Sequence, residues 1–126
     1  MKQLISFFEI PATDFDRAVV FYEQVLEVEL TRCECGEDKM GFFPDPDLGP
    51  RGAVSMAKGF EPSTGGVLIS LSVENMDEIL RRVVAAGGTV HIPKTRIEAE
   101  GQGCFAIFND TEGNRIGLHS LTETGS

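Results

Sequence analysis

The chain has 126 residues, 41% of them hydrophobic and 25% charged, which is ordinary for one soluble globular domain. Its net charge of −9 argues against non-specific binding to nucleic acid or to an anionic membrane surface. There is no apolar run of about eighteen residues to span a bilayer and no signal-peptide cleavage region, so we expect a cytoplasmic protein. Cys33 and Cys35, at i,i+2, match neither a redox nor a zinc motif, and we expect reduced structural thiols.

The first half of the chain predicts a strand, a helix and three more strands. Residues 4–10 are β-prone, and alternation places Phe7 and Glu9 on one face of that strand. Thr13 or Asp14 caps a helix whose apolar side chains recur at helical spacing. Strands are predicted over 28–35, 39–43 and 53–57, and the Pro- and Gly-rich residues 44–52 predict a surface loop.

The second half repeats that order. Residues 67–73 predict a strand, Asn75 begins a helix, and Gly87 follows the end of that helix. Residues 89–92 predict a short strand, and residues 93–103 predict a mobile polar connection. The final stretch, FAIFNDTEGNRIGLHS over 105–120, predicts a β-hairpin whose second strand ends near His119.

Similar pieces recur at a nearly constant distance. Ile10 to Val19 matches Leu71 to Leu80 at an offset of 71 − 10 = 61 residues, and Gly41 matches Ala106 at an offset of 106 − 41 = 65. This spacing predicts a duplicated unit within a single domain over 1–126, with repeat one at about 3–58 and repeat two at about 66–121. Chance similarity between two strand-then-helix openings is the alternative.

Three segments resemble the vicinal-oxygen-chelate superfamily, which includes glyoxalase I, bleomycin-resistance proteins and extradiol dioxygenases. They are FFEIPATDFDRAVVFYEQVLE from Phe7, SVENMDEILRRVVAAGG from Ser72 and FNDTEGNRIGLHS from Phe108. The resemblance implies an α+β fold of two tandem βαβββ units, which form a curved, cup-like mixed sheet with helices on the outer face. It also implies a homodimer and a small-molecule ligand inside the cup.

Members of the family with metal chemistry carry His or Glu at four cup-facing positions. By that resemblance, the positions fall here at Phe7, near Met56, at Leu68 and at Gly117, and none of these side chains ligates a divalent ion. The resemblance therefore implies the fold without the usual metal or other cofactor. We expect these four residues, together with Ser70, to bind the substrate or ligand.

Glu9 and His119 each lie two residues beyond one of the missing ligands and keep its inward parity. If the two meet inside the cup, the carboxylate would fix the tautomer of the imidazole, as catalysis of proton transfer requires. The pair would also offer a displaced site for a divalent metal. A hydrogen-bonded pair without a chemical role is the alternative.

Three functions remain open from the sequence. The first is a metal-free small-molecule binder, which the missing ligands favour. The second is an active lyase or another enzyme of the glyoxalase or dioxygenase type that uses Glu9 and His119. The third is a structural or regulatory partner subunit whose cup is filled with core side chains.

Overall fold

Each half of the chain folds into one strand, one helix and three further strands, as the sequence predicts. The computed structural model describes residues 4–47, 49–98 and 101–121, without the side chain of Cys35, and the chain separates into two compact units, one up to Pro62 and one from Ser63. The first unit contains β1 (Phe8–Pro11), α1 (Phe15–Leu26), β2 (Thr31–Cys35), β3 (Asp38–Phe42) and β4 (Gly52–Met56). The second contains β5 (Ile69–Ser72), α2 (Met76–Ala85), β6 (Thr89–Arg96), β7 (Cys104–Asn109) and β8 (Arg115–Ser120). The predicted α+β class with two tandem βαβββ units is confirmed.

Both helices begin at the residues that the sequence indicates. The side chains of Asp14 and Asn75 each accept a hydrogen bond from the backbone N–H three residues later, at 3.1 and 3.2 Å, which satisfies an otherwise unpaired donor of the first turn. At the end of α2, Gly87 has a φ of 104° and the Gly88 N–H donates to the Val83 carbonyl at 2.8 Å. This six-to-one bond with a left-handed glycine stops the helix.

The first sheet has the strand order β1-β4-β3-β2, with β1 and β4 parallel and the other neighbours antiparallel. Its helix face is identified by Gly41, where a Cβ atom would lie 3.0 Å from Val19 of α1. Val54, opposite Gly41, and Ile10, opposite Val54, are buried on the same face. Alternation therefore assigns Glu9 to the other face, which we call the helix-free face of the unit.

The second sheet repeats the arrangement with the order β5-β8-β7-β6, in which only β5 and β8 are parallel. Cys104 of β7 contacts Met76 of α2, with 4.0 Å between the sulfur atoms, and Ala106 and Phe108 continue the same fully buried row. The helix-free face of this unit consequently carries the alternate residues of β7 and β8, including Ile107 and His119.

Strand β6 is twice as long as the sequence predicts. It runs from Thr89 to Arg96, so the first part of the predicted connection over 93–103 is strand; residues 99–100 of that connection lie outside the described residues. Pro93 lacks an N–H, but β6 is an edge strand and its pairing with β7 is irregular between Ile92 and Thr95. An edge strand with such irregularities accommodates proline because not every N–H needs a partner in the sheet.

Among the residues that the structure describes, no helix has the length and apolar character needed to cross a membrane.

Candidate ligand-binding site

The strand register identifies which residues occupy equivalent places in the two units. Glu9 of β1 pairs with Ala53 of β4, and Ser70 of β5 pairs with Gly117 of β8. Glu9 and Ser70 are 70 − 9 = 61 residues apart, which is the repeat offset. The equivalent of Gly117 in the first unit is therefore Ala53. The sequence places this position near Met56, whereas Met56 has the parity of the helix face, because a repeat offset alone does not fix the register of β4.

By this register, the four family metal positions correspond to Phe7, Ala53, Leu68 and Gly117. None of these residues has a side-chain atom that coordinates a divalent ion. Gly117 is also crowded, since a Cβ atom there would lie 2.3 Å from the Oγ of Ser70. In neither unit do the described residues bring together three His, Cys, Asp or Glu side chains that could hold a metal ion.

Glu9 lies on the helix-free face of the first unit with a hydrogen-bond donor beside it. The Ser55 hydroxyl donates to the Glu9 carboxylate at 2.9 Å. Ser55 is only 2% exposed, whereas Glu9 is exposed. The ring of Phe7 lies on the same side of the sheet as Phe42, with 6.1 Å between the ring centroids. Glu9 therefore has an oriented carboxylate next to an aromatic surface.

His119 lies on the helix-free face of the second unit, opposite Phe105 in the register. Its Nε2 atom is 2.9 Å from the backbone carbonyl oxygen of Gln102. A carbonyl only accepts, so Nε2 must carry the proton and the neutral ring keeps the lone pair on Nδ1. Gly103 brings this loop close to β8: its φ is 77°, and a Cβ atom there would lie 1.8 Å from the Ser120 carbonyl oxygen.

The predicted meeting of Glu9 with His119 stays a prediction. The two residues belong to different units, and the partners described above, Ser55 for Glu9 and the Gln102 carbonyl for His119, lie within their own units. Each of the two side chains is therefore oriented by a hydrogen bond within its own unit, which parity along the strand does not reveal.

A cleft of about 210 Å³ opens within the second unit. Of the predicted site residues, Leu68 is the one that lines it; Ser70, Gly117 and His119 do not. The cleft is formed by the segment before β5 and by side chains of β6, β7 and β8: Ser63, Thr64, Gly66, Val67, Leu68, His91, Ile107 and Arg115. The lining thus combines apolar side chains with the hydroxyl groups of Ser63 and Thr64 and the basic side chains of His91 and Arg115.

Arg115 and His91 are the basic residues of this cleft, and the sequence predicted neither as a site residue. Asn109 and Arg115 pair directly across the hairpin, and the Nε–H of Arg115 donates to the Asn109 side-chain oxygen at 3.3 Å. The amide nitrogen of Asn109 in turn donates to Thr89 of β6 at 3.0 Å. Side chains from three strands thus orient the guanidinium. In the sequence, the available signal was the Asn109–Arg115 pair on either side of a tight turn. The pairing of β6 with this hairpin could not be predicted from the sequence.

The turn between β7 and β8 holds the rim of the cleft in place. Asp110 accepts hydrogen bonds from the backbone N–H groups of Glu112 and Asn114, at 2.9 and 3.0 Å, and from the Asn114 side-chain amide at 3.0 Å. The Asn114 side-chain oxygen accepts from the N–H of Ser63 at 3.3 Å. Asp110 and Asn114 are 6% and 5% exposed. The acidic turn is therefore a structural anchor for the segment that begins at Ser63.

Comparison with known proteins agrees with this architecture. The profile of the Glyoxalase/Bleomycin resistance protein/Dioxygenase superfamily matches residues 4–118. The chain belongs to this family, and the predicted resemblance is confirmed. A search of curated protein sequences gives no significant match.

Solved structures show the same fold at low sequence identity. Hypothetical protein SA1046 from S. aureus is 24% identical, with a TM-score of 0.67 over 95% of this chain and 98% of that one. Fosfomycin resistance protein FosX from Mesorhizobium loti is 18% identical, with a TM-score of 0.64 over 95% of this chain and 92% of that one. A glyoxalase I variant from Zea mays is 15% identical, with a TM-score of 0.69 over 93% of this chain. The match spans 46% of the maize chain, about half its length.

Proposed function

We propose that this family member is a metal-free small-molecule-binding protein and that its ligand occupies the cleft of the second unit. The cleft of about 210 Å³ is the observation that carries the proposal. Binding sites for small molecules combine apolar walls with a few placed polar groups, and here Leu68 and Ile107 lie together with His91 and Arg115. The residues at the four family metal positions favour a site that works without that metal.

The test is a fragment screen followed by mapping of the site in ¹⁵N-labelled protein. We expect saturable chemical-shift changes at the amides of Leu68 and Ile107. Leu68→Trp should fill the cleft and abolish them. Val84→Trp is the matched control, since Val84 is 59% exposed on α2 and does not line the cleft. If no compound gives saturable shifts at the cleft, or if Leu68→Trp binds like the control, the proposal fails.

A second candidate is the lyase or dioxygenase type of activity, with Glu9 and His119 transferring a proton or holding a displaced divalent metal. The hydrogen bond from His119 Nε2 to the Gln102 carbonyl favours it, because the lone pair on Nδ1 then remains for a proton or a metal. Elemental mass spectrometry after incubation with zinc, nickel or manganese tests the metal part. Near-equimolar metal that is lost in Glu9→Ala/His119→Ala, but kept when the second histidine is changed in His91→Ala, would support this candidate. Equal metal content in all three proteins, or none, would exclude the displaced metal site.

Two further proposals are a homodimer, which the family resemblance implies, and a cytoplasmic location, which the sequence predicts. Light scattering coupled to size-exclusion chromatography tests the first through the molar mass, and fractionation of the source cells tests the second. A monomeric mass across the accessible concentration range would exclude the dimer.

A further inference from the structure

The charge of the proposed cleft is opposite to the charge of the protein. The chain carries 20 acidic and 11 basic residues, yet the described residues that line the cleft include Arg115 and His91 and no Asp or Glu. If side chains were distributed without regard to a ligand, acidic groups would be the more frequent neighbours. The basic lining therefore distinguishes this surface from the average surface of the molecule.

Arg115 is placed as an anion receptor. Its Nε–H is held by Asn109, and its terminal nitrogens have no hydrogen bond or ion pair with any residue in the part of the chain that the structure describes. The residue is half-buried. A half-buried guanidinium that has no acidic partner among the described residues has lost part of its hydration, so an incoming anion regains that interaction. The two terminal NH₂ groups present the planar fork that suits a carboxylate or a phosphonate.

The rim adds neutral donors. The Ser63 oxygen accepts a hydrogen bond from the Gly65 N–H at 2.9 Å, so the Ser63 hydroxyl proton remains to be donated. The Thr64 hydroxyl and the His91 imidazole also line the cleft and supply O–H and N–H groups. Donors thus come from both β6 and the segment before β5, in addition to the guanidinium of β8.

The volume of the cleft and its apolar lining limit the size and chemistry of the group that carries the anion. At about 30 Å³ for each water in the liquid, the volume of 210 Å³ corresponds to about seven water molecules. A ligand of roughly that many non-hydrogen atoms fits, and Val67, Leu68 and Ile107 would contact its hydrocarbon portion. Larger ligands of drug size would extend out of the cleft.

We infer that the cleft selects a small organic anion, in which a carboxylate or phosphonate meets Arg115 and a short branched or linear hydrocarbon meets Leu68 and Ile107. This inference rests on the proposed function and names the chemical class of the ligand. The shared chemistry is a compact oxyanion with an apolar body.

The experiment compares three probes of similar size in ¹⁵N-detected titrations. The probes are 3-methylbutanoate, its uncharged isostere 3-methylbutanamide, and propylphosphonate. We expect 3-methylbutanoate to shift the amides of Arg115 and Ile107 saturably and to bind at least about tenfold more tightly than the amide, as a charge-assisted hydrogen bond provides. The phosphonate shows which oxyanion is preferred.

Variants then assign the selectivity to one side chain. Arg115→Gln should weaken 3-methylbutanoate about ten- to hundredfold and leave the amide unchanged, and Arg115→Lys should keep part of the affinity because the charge remains. Arg81→Gln on α2 is the matched control with the same change in net charge, and folding of each variant is verified by its ¹⁵N spectrum. Equal binding of carboxylate and amide, unchanged binding in Arg115→Gln, or no saturable shift with either anion overturns the inference. The proposed function fails separately, if the fragment screen finds no ligand for the cleft or if Leu68→Trp binds like the Val84→Trp control.

Discussion

The most informative perturbation exchanges the two side chains that hold the β7–β8 turn, Asp110 and Asn114. In Asp110→Asn the oxygen that binds the two backbone N–H groups is kept, but an NH₂ group then faces the Asn114 NH₂ group across a 3.0 Å contact. In Asn114→Asp two carboxylates face each other at the same place. In Asp110→Asn/Asn114→Asp the donor and the acceptor simply change sides, and an oxygen at position 114 still accepts from Ser63.

The expected losses of unfolding free energy follow from the burial of Asp110 and Asn114. A hydrogen bond to a charged acceptor is worth about 1.5–3 kcal/mol, so Asp110→Asn should lower the free energy of unfolding by about 2 kcal/mol. Two facing buried carboxylates should make Asn114→Asp cost about 2–4 kcal/mol. The double variant should lose only about 1 kcal/mol, because neutral Asn binds the turn N–H groups less strongly than a carboxylate does. The two changes should therefore be non-additive by at least about 2 kcal/mol.

Urea unfolding followed by far-UV circular dichroism measures these differences, since the chain has no Trp and a single Tyr for fluorescence. The midpoints should shift with a constant denaturant slope, and a changed slope would indicate a changed unfolding reaction instead. Additive losses in the double variant would refute the reasoning, because they would show that the contact between positions 110 and 114 contributes no stability of its own.

Three further predictions concern separate features. Gly117→Ala places a methyl group 2.3 Å from the Ser70 Oγ and should cost about 1–3 kcal/mol in urea unfolding; Ser70→Gly in the same protein should recover part of that loss, and an equal loss in both backgrounds would contradict the crowding. Asn75→Ala removes the cap of α2 and should cost about 1 kcal/mol, whereas Asn75→Asp should be nearly neutral; equal losses would exclude a capping role. The hydrogen bond and charge of Arg81 hold the pKa of Glu78 below its ordinary value of 4.5, so the stabilisation from this group is present above that value and is lost as the pH falls through the lowered pKa. Arg81→Gln should raise the pKa of Glu78 in a carbon-detected NMR titration, and an unmoved pKa would show that Arg81 does not cause the shift.

The order of elements was readable from the sequence because its signals are local. Asp14 and Asn75 cap their helices through a contact three residues away, and Gly87 accepts a backbone conformation that other residues avoid. The aspartate-containing turn likewise lies within a few residues of chain. The repeat offset of 61 residues then related the two halves, and the fold class followed from that order.

The site was less readable, because it depends on which strands become neighbours. The sequence places one family position near Met56, and only the pairing of β1 with β4 shows that Ala53 lies opposite Glu9. The hydrogen bonds of Glu9 with Ser55 and of His119 with the Gln102 carbonyl join residues that are 46 and 17 positions apart. No local pattern encodes contacts of that separation.

By itself, the sequence determined the two βαβββ units and their helix caps, because short-range backbone preferences are sufficient for these. Only the tertiary structure decided that β6 continues through Pro93 as an edge strand and that His91 and Arg115 meet Leu68 around one cleft. The physical reason is that the sheet brings together side chains from four separate segments, and their proximity exists only once β5, β6, β7 and β8 have paired.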